Sequence, residues 1–192
     1  MKKWIFLSLI IAGLTSCDLL DELIPDVETD YERNFHISIT DNSGFTELEL
    51  IDVASSEDYA EFQDNINGYE ITSIVISVTA YNGPEDMYFN GTILARDTTL
   101  TVSVDVADIP HTNISTLLAS ESEFDVEEIA EGIDQVINWL DDPGKFYAQA
   151  SYNLTDAMGE PYPVSDEDYS IDLMVKYYVT VITGAGSSSE EE

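Results

Sequence analysis

The chain has 192 residues, of which 39 are Asp or Glu and six are Lys or Arg, for a formal net charge of −33. That balance excludes nucleic-acid binding, because phosphate contacts need clustered Lys and Arg, and the single Cys excludes an internal disulfide. Hydrophobic residues still make up 44% of the chain, so the acids load the surface of a protein with a core and do not signal global disorder.

Lys2 and Lys3 form a short basic start, and an apolar run follows from Trp4 to Leu14. A bilayer core needs about 20 apolar residues, so this run is too short to span one and fits the apolar region of a secretory signal. Leu14-Thr15-Ser16-Cys17 then resembles the lipobox of bacterial lipoproteins: an aliphatic residue, two small ones, then Cys. The resemblance covers about the first twenty residues. It implies that residues 1–16 are a signal peptide, that the Cys17 thiol receives a diacylglycerol, and that the new amine is acylated after cleavage. Cleavage moves the charge from −33 to −35, because Lys2 and Lys3 leave and no acid does. One acyl chain anchors marginally and several anchor stably. Anionic headgroups repel so acidic a surface, so the lipid has to supply the attachment.

Residues 17–30 read as an acidic tether. Its acids loosely resemble the export signals of Bacteroidota surface lipoproteins, whereas Asp directly after the Cys marks inner-membrane retention in enteric bacteria. The outer membrane is the expected location. Residues 31–183 read as one domain. Phe35, Ile37 and Ile39 alternate with polar residues over 33–40, Asp41 to Gly44 turn, and 46–53 continues as a second strand. Over 56–66, Tyr59, Phe62 and Ile66 share a helical face that Asn67-Gly68 closes. Ile74, Ile76, Val78 and Ala80 alternate over 73–81. Residues 87–95 and 98–106 form a predicted hairpin, with Leu100, Val102, Val104 and Val106 on one face.

Val126, Ile129, Ala130, Ile133, Val136, Ile137 and Leu140 make a helical stripe over 126–140. Asp125 is placed to cap it, Glu128 to reach back and Phe124 to staple onto Ile129, with Pro143-Gly144 as the stop. Two period-two segments follow. Phe146, Ala148, Ala150, Tyr152 and Leu154 share a face over 146–154, and Tyr169 through Val181 do so over 169–182. Residues 184–192, a Gly/Ser stretch ending in three Glu, read as a disordered acidic tail. The fold class is therefore mainly β: an antiparallel β-sandwich of about seven strands with two inserted helices. A helix-covered open β-barrel is the alternative.

Catalytic motifs do not emerge. His36 falls on the polar face of a strand and His111 in a loop after Pro110, with nothing in the sequence pairing them. His-Glu-x-x-His, Gly-x-Ser-x-Gly, P-loop and dinucleotide patterns are absent from the sequence. Asp105/Asp108, Asp141/Asp142 and Asp166-Glu167-Asp168 are candidate calcium ligands, since hard cations want several carboxylates on a loop. Tyr147, Tyr162 and Tyr178, with Tyr88, Tyr177 and Trp139, are candidates for a sugar-stacking platform. Sequons at Asn90, Asn113 and Asn153 read as chance in a bacterial chain, and Asp97-Thr98-Thr99 resembles an O-glycosylation signal described for Bacteroidota. The expected function is a lipid-anchored envelope protein whose sandwich binds a protein or glycan partner. A small envelope hydrolase and an accessory subunit of an outer-membrane assembly are the alternatives.

Overall fold

The computed structural model describes residues 27–55, 66–120, 123–164 and 169–183. The signal peptide, Cys17, the greater part of the tether, the helix expected over 56–66 save Ile66, the acids at 166–168 and the 184–192 tail lie outside the described residues. Among those described, ten strands form two antiparallel sheets. The first sheet runs β1 (Val27–Ile39), β10 (Tyr169–Thr183), β4 (Ile66–Asn82), β7 (Phe124–Asp125). The second runs β2 (Ser43–Phe45), β9 (Lys145–Thr155), β5 (Tyr88–Arg96), β6 (Ser103–Asn113), β8 (Glu127–Glu128), with β3 (Glu49–Asp52) also paired to β9. Helices α1 (Ile114–Ser120) and α2 (Ala130–Asp141) complete the domain. It is an antiparallel β-sandwich with two inserted helices.

Alternation makes the two sheets. In β10, Ile171, Leu173, Val175, Tyr177, Val179 and Val181 are buried while the residues between them are not. In β9, Phe146, Ala148, Ala150, Tyr152 and Leu154 do the same. The two inner faces meet where the Tyr177 ring packs edge-on against Phe146, 5.8 Å between centroids at 79°. Each large side chain buried there stabilises the fold by about 1.5–3 kcal/mol. Helix α2 buries Ile133, Val136, Trp139 and Leu140 and contacts β4 of one sheet and β6 and β9 of the other. It closes the side of the sandwich where the short strands β7 and β8 lie.

Several boundaries differ from expectation. Strand β1 begins at Val27, so residues 27–30, read as the end of the tether, are paired with 178–181 of β10. Of the expected strand 46–53 only Glu49–Asp52 is strand, and β2 falls at Ser43–Phe45, where the end of the turn was expected. Between them the Thr46 hydroxyl accepts the Ala150 N–H at 2.9 Å and Gln149 Nε2 donates to the Thr46 carbonyl at 2.8 Å. Asn67 and Gly68 do not close a helix; they belong to β4. The second hairpin strand starts late, at Ser103, and Leu100 and Val102 are exposed in the turn. It also runs on to Asn113, so His111 lies in β6 and not in a loop. Pro110 is tolerated there because Pro110 and His111 fall in a register shift against β5.

Helix α2 begins later than its stripe. Ile129 is the N-cap and no side chain caps it. Asp125 belongs to β7, and the Glu128 carboxylate accepts the Ile74 N–H at 3.1 Å, so it is used to join the sheets and not to cap the helix. Gly144, at φ 79°, stops the helix as expected, its N–H donating to the Trp139 carbonyl at 2.9 Å.

Candidate functional site

The helices cover one side of the sandwich, and the opposite side is where β1 and the β2–β3 segment approach each other. Arg33 Nε donates to the Leu50 carbonyl across that gap at 2.9 Å. A groove of about 410 Å³ lies along β1 from Asn34 to Ser38, walled by Phe45, Glu47 and Tyr152. Phe45 is 63% exposed, an aromatic side chain left on the rim.

His36 and Ser38 point outward from β1, two residues apart, and register sets Asp172 of β10 beside His36. His36 Nδ1–H donates to Asp172 Oδ1 at 2.5 Å. The carboxylate fixes that tautomer, which leaves Nε2 to accept from the Ser38 hydroxyl, 3.3 Å away. Sequence placed His36 on a polar face but gave it no partner; the partner comes from 136 residues along the chain. The His36 and Asp172 side chains are 63% and 42% exposed.

Lower on the same outer face, Lys176 Nζ meets Glu32 Oε1 at 2.7 Å, Glu123 Oε1 at 3.1 Å and Asp30 Oδ2 at 3.8 Å. The hydrogen bond it donates to Glu32, then the one it donates to Glu123, hold its ammonium well above the ordinary lysine range. The Tyr178 ring lies 5.6 Å from Nζ, and its hydroxyl donates to Glu123 Oε2 at 3.2 Å.

On the outer face of the second sheet, Ser43, Asn153 and Asn90 stand on one rung of β2, β9 and β5. With Asn42 and Thr155 they line a depression of about 390 Å³. His111 stacks on Tyr88, 4.8 Å between centroids at 16°, and its Nε2–H points at the Thr155 hydroxyl (2.9 Å) and the Asp156 carbonyl (3.1 Å). The two histidines therefore sit on different sheets, each held by its own neighbours.

The tyrosines expected to form a platform do not share a surface. Tyr178 is on the first sheet, Tyr147 on the second, and Tyr162 follows β9, its hydroxyl donating to Asp86 Oδ1 at 2.7 Å. That hydrogen bond, with some burial, pushes the Tyr162 phenol up to about 12. Tyr177 and Trp139 belong to the core. Asp105 and Asp108 are exposed on β6, with Thr92 donating its hydroxyl to Asp108 Oδ1 at 3.1 Å. Asp141 and Asp142 are exposed at the end of α2. Among the described residues no three His, Cys, Asp or Glu side chains converge to hold a metal ion. Asp97 is a turn residue: Oδ1 accepts the Thr101 and Val102 N–H groups, both at 2.8 Å, and Oδ2 accepts the Thr99 hydroxyl. The Thr99 bond is the main reason its carboxyl titrates at about 2.

Sequence reasoning missed two groupings. Ser38 had no signal beyond its spacing of two from His36. Asn90 and Asn153 were visible as sequons, but their adjacency required the β5–β9 register.

No protein-family model matches the chain, and no curated protein matches it. Two solved structures resemble it distantly. One is of Desmodium yellow mottle tymovirus, with TM-score 0.33 and 9% identity over 87% of each chain. The other, a cryo-EM structure of Mud crab tombus-like virus, has TM-score 0.29 and 10% identity over 88% of this chain and 86% of that one. Likenesses this weak carry no argument about fold or function.

Proposed function

We propose that the chain is a lipid-anchored cell-envelope lipoprotein, held at the outer membrane, whose β-sandwich domain binds a protein or glycan partner. The observation that carries the reading is the order Lys2-Lys3, apolar run, Leu14-Thr15-Ser16-Cys17, with Cys17 the one Cys of the chain. Among the described residues no helix is long and apolar enough to cross a membrane. The ten residues from Cys17 to Val27 reach at most about 35 Å, so an acylated Cys17 keeps the domain close to the bilayer. Support for binding comes from the two depressions, one beside the exposed Phe45 and one lined by amides.

Replacing Cys17 with Ser tests the anchor. The wild type should fractionate with membranes and take up a labelled fatty acid, and the variant should do neither. A Cys17→Ser protein retained as firmly as the wild type ends this reading.

The Ser38–His36–Asp172 array favours a second reading, an envelope hydrolase. Ser38 Oγ would attack an ester or amide carbonyl as its proton passes to His36 Nε2. The imidazolium would return that proton to the leaving group, and water would then release the acyl group by the same route. The array stands open to solvent, without the water-excluding walls that strengthen such chemistry, so binding stands first. A fluorophosphonate probe discriminates: labelling that disappears in Ser38→Ala favours the hydrolase, and an unlabelled wild type removes it.

A further inference from the structure

The amide-lined depression on the second sheet has a chemistry unlike the rest of this surface. Acids are 39 of the 192 residues, yet among the described residues no ionisable side chain lines it. Its polar groups are the side chains of Asn42, Ser43, Asn90, Asn153 and Thr155, and Pro161 forms an apolar part of its wall. The Asn90 and Asn153 amides project from paired positions of β5 and β9, and β2 sets Ser43 beside Asn153. Among the described residues the side chains of Asn42, Asn90 and Asn153 make no hydrogen bond, whereas Thr155 is fixed by His111. Each free primary amide offers two donors and a carbonyl with two lone pairs.

That pattern selects a ligand class. A metal ion needs carboxylates, and none lines the depression. An anion meets the field of a chain at −33. An apolar ligand would leave three amides desolvated without partners. What remains is a neutral molecule rich in groups that both donate and accept, and sugar hydroxyls are such groups. Two amides side by side on adjacent strands suit a pair of vicinal hydroxyls, and a strand rung gives them a rigid mount. Primary amides also work at a surface without charge, so the acids elsewhere do not interfere. We infer that the Asn42–Asn90–Asn153 depression is a subsite for an uncharged oligosaccharide. The inference deepens the partner-binding reading and rests on it.

The full chain, purified with its lipid in detergent micelles, is applied to an array of neutral glycans (glucans, mannans, galactans and chitooligosaccharides) and of acidic ones (polygalacturonate and hyaluronan). Saturable binding to a neutral glycan is expected, and competition by its monosaccharide against its tetrasaccharide shows whether the free sugar or the polymer is read. The double variant Asn90→Ala/Asn153→Ala should weaken that binding at least about ten-fold while its unfolding midpoint stays at the wild-type value. Asn42→Ala, away from the β5–β9 ladder, should weaken it without touching the sheet. Binding that survives all three substitutions overturns the inference, as does a folded wild type that binds no neutral glycan at millimolar concentration. If that wild type instead cross-links to an envelope protein and Cys17→Ser is released from membranes, the subsite is wrong and the lipoprotein reading stands.

Discussion

Gly132 of α2 tests how closely the helix rides on the sandwich. A Cβ added there would sit 1.9 Å from the Asp105 carbonyl oxygen and 3.1 Å from Val106 Cα. Ordinary contact at a Cβ is 3.4–4 Å, so α2 would have to lift off β6 by more than about 1 Å. Two effects oppose each other in Gly132→Ala. Helix propensity favours Ala by about 0.8–1.0 kcal/mol. Overpacking against backbone, which cannot rotate away, costs about 1–3 kcal/mol. A gap of 0.5–1 Å forfeits about a quarter to a half of each contact. For Val136 and Leu140, both buried on the same face, that is about 1–3 kcal/mol more at 1.5–3 kcal/mol each. The balance is a loss of about 1–5 kcal/mol, at about 2–4 °C in melting temperature for each kcal/mol in a domain of this size. Trp139 lies on the helix itself, and the chain's other Trp, Trp4, precedes Cys17, so tryptophan fluorescence in urea follows the docking directly. Gly68→Ala is the control, since a Cβ there meets nothing within 4 Å. A Gly132→Ala protein more stable than wild type by about 1 kcal/mol would show that propensity wins and that the helix is not seated on β6 as described.

Tyr177→Phe should keep stability or raise it by about 1 kcal/mol in urea titration, because the Tyr177 hydroxyl is buried with no hydrogen-bond partner among the described residues; a loss above 1 kcal/mol would reveal a partner. Burial holds that phenol well above its ordinary range, so its contribution is complete below about pH 10 and fades as pH rises further. The alkaline decline should be shallower in the Phe variant. Asp97→Asn tests the acid side. A carboxyl depressed to about 2 contributes stability above the unfolded value near 4, and loses it as pH falls through about 2. The wild-type advantage over the variant should therefore shrink between pH 4 and pH 2, and a gap constant from pH 6 to pH 2 would contradict the turn's hydrogen bonds.

What was legible in the sequence is what a period of two encodes. The alternation in β10 and β9 fixed both faces of each strand because one face is wholly apolar. The same signal failed for 98–106, where Leu100 and Val102 continue the apolar pattern beyond the ladder into a turn held by Asp97. A hydrophobic pattern cannot report that turn, since it is set by a carboxylate taking two N–H groups. Helix α1 was invisible for a related reason: Asn113 caps it, its Oδ1 accepting the Thr116 N–H at 2.9 Å, but seven residues give too few turns for a stripe to show. Glu128 was misjudged because a capping box and a cross-sheet carboxylate look alike in sequence, and the Ile74 N–H that decides between them is 54 residues away.

The sites were hidden more deeply, and the reason bears on how partners will behave. Ser38–His36–Asp172 and Asn90–Asn153 are both products of register, in which residues far apart in sequence become rung neighbours. Composition describes the field around those sites but not what stands within it. With acids at 39 against six bases, a cationic protein partner would be drawn in by charge, and its affinity would fall steeply as salt shortens the Debye length from about 10 Å at 0.1 M to about 3 Å at 1 M. An uncharged glycan on the amide rung feels little of that field, so its affinity should scarcely change over the same range. Salt dependence thus separates the two partner classes without knowledge of either ligand, because one is held by the charge of the whole chain and the other by three side chains that carry none.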